Sequence, residues 1–110
     1  MAKPKINIDL LYFDGCPSWR NALEILNRTL NESGLQFEVS LIQVEDQHAA
    51  EIQRFIGSPT IRINGLDLFP LEEQSNFGIG CRVYQTPEGL KGWPTEEMLK
   101  ERLGSILAAA

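Results

Sequence analysis

The spacing of apolar residues along this chain changes abruptly at Asp14-Gly15-Cys16-Pro17. Before this point, residues 6–13 alternate between apolar and polar and end in a continuous apolar run, the pattern of a strand that becomes buried. After it, apolar residues recur at helical spacing as far as Gly34, and Pro17 suits the first turn of a helix. The sequence therefore predicts a strand and a helix joined by a tight turn, with a cysteine at the junction.

A second strand follows this helix. Leu35–Leu41 alternates cleanly, and the apolar pattern continues through Val44. A strand, a helix and a strand in this order imply a parallel pair of strands joined by a right-handed crossover.

The rest of the chain extends this α/β pattern. Four further elements are predicted, namely a helix capped by Asp46 and ended by Gly57, a strand at Thr60–Ile63, a strand at Cys81–Gln85 and a helix capped by Thr95. Residues 65–80, which follow an Asn-Gly turn signal, are expected to form an ordered loop with a short strand or helical turn. The order βαβαββα predicts a four-stranded mixed sheet with helices on both faces, in a single domain covering residues 1–110.

Composition limits the classes of function. A chain of 110 residues has the size of one domain, and its net charge of −5 argues against nucleic acid or an anionic membrane as partner. We find no signal peptide pattern at the start of the chain and no apolar run of membrane-spanning length, so we expect a cytoplasmic protein. Two cysteines are too few for the disulfide framework of a small secreted domain.

Cys16 is the residue best placed for chemistry. At the start of a helix, free backbone N–H groups and the helix dipole favour the thiolate, which is the form that attacks disulfides and binds soft metals. Ser18 and Trp19 offer backbone donors there, and Ser18 adds a hydroxyl. We expect the pKa of Cys16 to be moderately lowered.

Two motifs together, Asp14–Trp19 before a helix and Gly57–Thr60 before a strand, resemble the thioredoxin-like family. The resemblance covers nearly the whole chain and implies the fold predicted above. It also implies that Cys16 is the nucleophilic cysteine. Pro59 would follow a cis peptide bond and face the thiol, where the adjoining backbone pairs with a bound partner.

The resemblance also suggests which residues border the binding groove. They are Pro17, Ser18 and Trp19 beside the thiol, and Ser58 beside Pro59. In this topology the turn from Thr86 to Pro94 also comes near Cys16, which makes Leu90 and Trp93 candidate walls of the site.

The chain departs from the family's Cys-x-x-Cys motif, because Trp19 stands at the position of the second cysteine. A mixed disulfide at Cys16 then needs a second thiol from glutathione, a partner protein or elsewhere in the chain. The predicted strand that begins at Cys81 starts at the opposite pole of the sheet, about 16 Å away, whereas a disulfide needs Cα atoms within about 7 Å. We therefore expect Cys81 to be out of reach and packed in the core, with a resolving or metal-binding role as the alternative.

Other polar residues give weaker signals. His48 is expected to be solvated, and the Glu72-Glu73 and Glu96-Glu97 pairs are typical of a solvated loop and a helix start. Arg82 and Tyr84 share one strand face, either facing a ligand or occupying ordinary edge positions. No spacing in the sequence indicates a bound metal or an organic cofactor.

Three functions are compatible with these features. The first is thiol–disulfide chemistry at Cys16, with a protein thiol or a small thiol such as glutathione as partner. The second is a binding module whose Cys16 thiolate captures a soft metal or an organomercurial. The third is a non-catalytic interaction domain that uses the groove beside Pro59 or a free strand edge. The sequence does not indicate the oligomeric state.

Overall fold

The computed structural model describes residues 6–34, 36–70 and 77–109. Its helices and strands, in chain order, are β1 (Ile6–Tyr12), α1 (Ser18–Ser33), β2 (Phe37–Gln43), α2 (Gln47–Gln53), β3 (Thr60–Ile63), β4 (Leu66–Asp67), β5 (Tyr84–Thr86), β6 (Gly89–Lys91) and α3 (Glu96–Ala109). The predictions made for Leu35 and for the Glu72-Glu73 pair lie outside the described residues. None of the described helices combines the length and the apolar character needed to cross a membrane.

Four strands form one mixed sheet in the order β2-β1-β3-β4. β1 and β2 are parallel over their whole length, from the pair Ile6 and Phe37 to the pair Tyr12 and Gln43. β3 runs antiparallel to β1, and β4 runs antiparallel to β3. The predicted α/β class with a four-stranded mixed sheet is therefore confirmed.

Side chains of β1 enter two separate cores because neighbouring residues of a strand point to opposite faces. Ile8 and Leu10 belong to the larger core, which also contains buried residues of α1 and α3. Leu11 belongs to a smaller core with Ala50 of α2 and Phe55. Helices thus cover both faces of the sheet, with α1 and α3 on one face and α2 on the other.

The predicted helix caps are present. The Asp46 carboxylate accepts a hydrogen bond from the Ala49 N–H (2.8 Å), and the Thr95 hydroxyl accepts one from the Met98 N–H (3.1 Å). Gly34 ends α1 in the left-handed conformation. The prediction that α2 ends at Gly57 is wrong, because Arg54 adopts the left-handed conformation and its N–H bonds to the carbonyls of the preceding turn.

The fourth strand of the sheet also differs from the prediction. The tight turn at Asn64 and Gly65 reverses the chain at once, so that Leu66–Asp67 fills the free edge of β3. The predicted strand at Cys81–Gln85 instead contributes only Tyr84 and Gln85 to β5, which pairs with β6 in a separate hairpin. Alternation along the sequence indicated a strand but did not indicate its pairing partner.

Two leucines that are paired between β1 and β2 provide a test of the larger core. Leu10 and Leu41 face each other on β1 and β2, but Leu10 is fully buried and Leu41 is 48% exposed. Leu10→Ala should lower the free energy of unfolding by about 2–5 kcal/mol, and Leu41→Ala by about 0.5 kcal/mol or less. Denaturant unfolding of the reduced protein measures both, and equal losses would contradict this assignment of the core.

Candidate functional site

A tight turn delivers Cys16 from the end of β1 to the start of α1. The Cys16 N–H donates to the Phe13 carbonyl (3.0 Å). Gly15 lies against the Phe13 ring so closely that a Cβ atom there would be 2.6 Å from a ring carbon. Cys16 itself has no exposed surface.

Cys81 reaches the same place on a segment that pairs with the chain before β3. The Gly78 N–H donates to the Phe55 carbonyl (3.0 Å), and the Ser58 N–H donates to the Gly80 carbonyl (2.8 Å). The Arg82 N–H in turn donates to the Ser58 carbonyl (2.8 Å). These bonds form a parallel bridge between Ser58 and Cys81, and we call residues 78–82 the Cys81 segment.

The two sulfur atoms lie 3.0 Å apart, as free thiols. The prediction that Cys81 is out of reach and packed in the core is therefore wrong, because Cys81 is exposed and touches Cys16. The prediction assumed that Cys81 begins a strand antiparallel to β3, which would start at the far pole. Instead, β4 fills that edge, and the Cys81 segment lies beside Ser58 at the pole of Cys16.

The surroundings of the pair favour a thiolate on Cys16. Burial works against it, but hydrogen bonds from the Cys81 thiol and from the Ser18 N–H and hydroxyl outweigh this cost and lower the pKa of Cys16. The pKa of Cys81 is raised, first because its S–H donates to Cys16 and then because of partial desolvation. When the pair holds a single proton, that proton is therefore favoured on Cys81 and the negative charge on Cys16. The expected direction of the Cys16 pKa is confirmed.

Ser58 links the thiol to Pro59, and the Ser58–Pro59 peptide bond is cis. Cys16 Sγ donates to the Ser58 carbonyl at 3.7 Å when it carries its proton. While Cys16 carries its proton, the buried Ser58 hydroxyl has no hydrogen-bond partner among the described residues. Its hydroxyl can donate to the Cys16 thiolate, which lowers the pKa of Cys16. The resemblance implies that this backbone pairs with a bound partner. Here its N–H and its carbonyl already pair with Gly80 and Arg82 of the same chain.

A buried arginine anchors the Cys81 segment. The Arg82 guanidinium donates to the Asp67 carboxylate (2.8 Å), to the Phe69 carbonyl and, at 3.5 Å, to the Thr60 hydroxyl. Removing one partner of a buried ion pair leaves an uncompensated charge and costs about 3–5 kcal/mol. The residue after Cys81 is thus fixed to β3 and β4, which limits how far the thiol can move.

Tyr84 adds a second anchor at the same place. Its ring lies beneath the Arg82 guanidinium, 4.7 Å from the ring centroid. Burial raises the Tyr84 pKa far above its ordinary value, so the hydroxyl keeps its proton and donates to the Pro59 carbonyl (2.5 Å). Arg82 and Tyr84 are both buried, and only Tyr84 belongs to a strand, so the expectation that they share an accessible strand face is wrong.

The two tryptophans and the second hairpin make different kinds of contact. Trp19 stacks on Tyr12 with ring centroids 4.2 Å apart. Trp93 is partly buried against the larger core, whereas the Leu90 side chain is 70% exposed. The turn after β6 does reach the start of α1, since a Cβ atom on Gly92 would lie 2.4 Å from the Ser18 hydroxyl.

The remaining candidate residues within the described ranges make no side-chain contact with the thiols that would add to their chemistry. Pro17 occupies the cap position of α1 with φ −70° and makes no side-chain cap. His48 is exposed, as expected, and Glu96 and Glu97 lie in the first turn of α3. Across residues 6–34, 36–70 and 77–109, no three His, Cys, Asp or Glu side chains are grouped in a way that could hold a metal ion.

The Ser18 hydroxyl provides a test of thiolate stabilisation. In a Cys81→Ser background, where Cys16 is the sole thiol, Ser18→Ala should raise the pKa of Cys16, because one hydrogen-bond donor to the thiolate is lost. Ultraviolet absorbance of the thiolate against pH measures this shift. Ser105→Ala on the exposed side of α3 is the control, and a titration that moves equally in both variants would contradict the role of Ser18.

Gly57 provides a test of how the Cys81 segment is held. A Cβ atom at Gly57 would lie 2.9 Å from the Arg82 Cβ and 3.2 Å from the Arg82 N and Cα atoms. We expect Gly57→Ala to push Arg82 and Cys81 away, to destabilise the fold by about 1–3 kcal/mol and to speed alkylation of Cys16. Mass spectrometry of digested protein would locate the label on each cysteine.

Gly89→Ala is the matched control for this change. Gly89 also has a positive φ (107°), but nothing lies within 4 Å of a Cβ atom built there. The Gly89→Ala variant should introduce a similar backbone strain without altering the reactivity of Cys16. Equal alkylation of Cys16 in the two variants would show that contact with Gly57 does not hold the Cys81 segment in place.

Comparison with protein-family models gives no match for this chain, and a search of curated proteins finds no significant relative. What the site does must therefore be inferred from its own residues.

Proposed function

We propose that this protein carries out thiol–disulfide exchange, alternating between a dithiol and a disulfide of Cys16 and Cys81. The observation that carries this proposal is the 3.0 Å separation of the two sulfur atoms. A lowered pKa at one thiol and a raised pKa at its neighbour support it. Exchange proceeds by attack of a thiolate on a disulfide sulfur, and this short separation lets one cysteine attack a mixed disulfide formed on the other.

The fold supports the same proposal. A thioredoxin-like arrangement has β1 and β2 parallel, β3 antiparallel to β1 and the next strand antiparallel to β3, and these strand directions are found here. Cys16 precedes α1, and Ser58 and Pro59 precede β3, in the positions of the family's motifs. We therefore assign the chain to the thioredoxin-like class as part of this proposal.

The reaction balances without any further redox cofactor. One sulfur of the pair forms a mixed disulfide with R–S–S–R and releases one RSH. The other then attacks the sulfur of the first cysteine and releases the second RSH. The protein loses two thiol protons and two electrons and gains one S–S bond of about 2.0 Å, for which the sulfurs approach each other by about 1 Å.

This pairing changes which thiols the cycle needs. With Trp19 in place of a second local cysteine, the sequence suggested an external resolving thiol. Cys81 can supply that thiol from within the chain, since its sulfur already contacts Cys16. A small disulfide such as that of glutathione, or a disulfide of another protein, then serves as substrate, and the corresponding thiol is the product.

Soft-metal capture is a second candidate, favoured by the same paired sulfurs. Thiolates are the preferred ligands of Cu(I), and two from one chain can hold such an ion between them. This function predicts one Cu(I) retained per chain, dependent on both cysteines. An interaction domain using the groove beside Pro59 is less well supported, because the polar backbone groups of Ser58 are occupied.

Formation of the internal disulfide tests the proposal. Incubated with reduced and oxidised glutathione, the native chain should lose the mass of two hydrogen atoms and retain no glutathione, because the neighbouring thiol displaces it. Intact-mass spectrometry after acid quenching measures this change. Cys16→Ser and Cys81→Ser are the controls, since neither can close the bond.

Two results would contradict exchange by this pair. One is a wild-type protein that keeps the dithiol mass in oxidising mixtures. The other is a wild-type protein that accumulates stable glutathione adducts. Retention of one Cu(I) per chain against a competing ligand, together with the first result, would favour the metal-binding alternative.

A further inference from the structure

The two sulfurs of the pair differ in their access to solvent. Cys16 has no exposed surface, whereas Cys81 is exposed. Thiol–disulfide exchange requires the attacking sulfur to approach the disulfide directly, so access decides which sulfur can react. In this arrangement an external disulfide can reach Cys81 and cannot reach Cys16.

Cys16 is covered by another part of the same chain, the Cys81 segment, whose Cys81 sulfur contacts it. The Cys81 segment lies over the thiol and uses both polar backbone groups of Ser58, through bonds with Gly80 and Arg82 of 2.8 Å each. The buried Arg82 guanidinium fastens the segment further through Asp67. An extended peptide therefore finds no free backbone group at Ser58 with which to pair, and Cys16 stays covered while the segment is in place.

We propose that Cys81, and not Cys16, is the sulfur at which external disulfides and thiols exchange, while Cys16 acts only on the sulfur of Cys81. This inference rests on the proposed exchange function and specifies the order of its steps. Its substrate needs only an accessible S–S bond, without main-chain pairing at Ser58. A disulfide of low molecular weight meets that requirement.

In the reducing direction, the steps follow from the contact between the sulfurs. Cys81 attacks R–S–S–R while its proton passes to the Cys16 sulfur it already contacts. One RS⁻ leaves, and the Cys16 proton passes to it or to water, which restores the Cys16 thiolate. That thiolate attacks Cys81 Sγ, forms the internal bond and releases the second RS⁻, which is protonated by solvent.

The reverse direction fits the same arrangement. An incoming thiolate attacks the exposed Cys81 sulfur of the internal disulfide, and Cys16 is the leaving group. A sulfur with a lower pKa leaves faster, and the hydrogen bonds of Ser18 favour the thiolate of Cys16. The accessible sulfur and the better leaving group are thus different members of the pair, each suited to its own step.

Trapping the mixed disulfide tests this order. Cys16→Ser leaves Cys81 alone, and Cys81→Ser leaves Cys16 beneath a side chain of nearly the same size. With glutathione disulfide under native conditions, Cys16→Ser should acquire one glutathione on Cys81, at least about tenfold faster than Cys81→Ser acquires one on Cys16. Intact mass with peptide mapping measures both rates, and addition of denaturant should remove the difference.

The outcomes separate this order from the exchange function itself. Equal or faster labelling of Cys16 in Cys81→Ser would overturn the order, while exchange would stand if the wild-type chain still forms the internal disulfide. Absence of adducts in both variants would also overturn the order. Exchange would fall as well only if the wild-type chain forms no disulfide under the same conditions.

Discussion

Two backbone hydrogen bonds at Ser58 hold the two halves of the site together. Through them the Cys81 segment is fixed beside the residues that lead into β3. Within the described residues, no strand of the two sheets joins the Cys81 segment to β3. They leave Ser58 without free backbone groups and bring the second sulfur to the first. The contact between the thiols, the cover over Cys16 and its thiolate character all depend on this short stretch of paired backbone.

The arrangement of the Cys81 segment is costly to disturb because Arg82 carries a buried charge paired with Asp67. Its guanidinium reaches Asp67 at the sheet edge and the Phe69 carbonyl, and it lies over the Tyr84 ring. All three of these partners come after β3 and before β6 in the chain. A buried ion pair of this kind adds little net stability, but breaking it is costly, which restricts the positions that Arg82 can take. Here the restriction acts on the residue next to Cys81.

Local signals in the sequence predicted most of the fold but only half of the site. The change of period at Cys16, the caps at Asp46 and Thr95 and the stop at Gly34 are properties of neighbouring residues, and the structure contains all of them. The position of Cys81 depends on pairing across long sequence separation, which alternation does not encode. The Asn64-Gly65 turn and a short strand after it were expected from the sequence, but the sequence did not show that this strand pairs with the edge of β3.

A bond between Cys16 and Cys81 would close a ring of chain, because the two residues are 65 positions apart. The ring would contain α1, β2, α2, β3 and β4. On the chain-entropy account, closing a loop of this length restricts the unfolded chain enough to stabilise the fold by about 4 kcal/mol. The relation is reciprocal, so folding must favour the oxidised pair by the same amount. Conditions that destabilise the fold would therefore also destabilise the disulfide relative to the dithiol, which makes the oxidised protein a stronger oxidant.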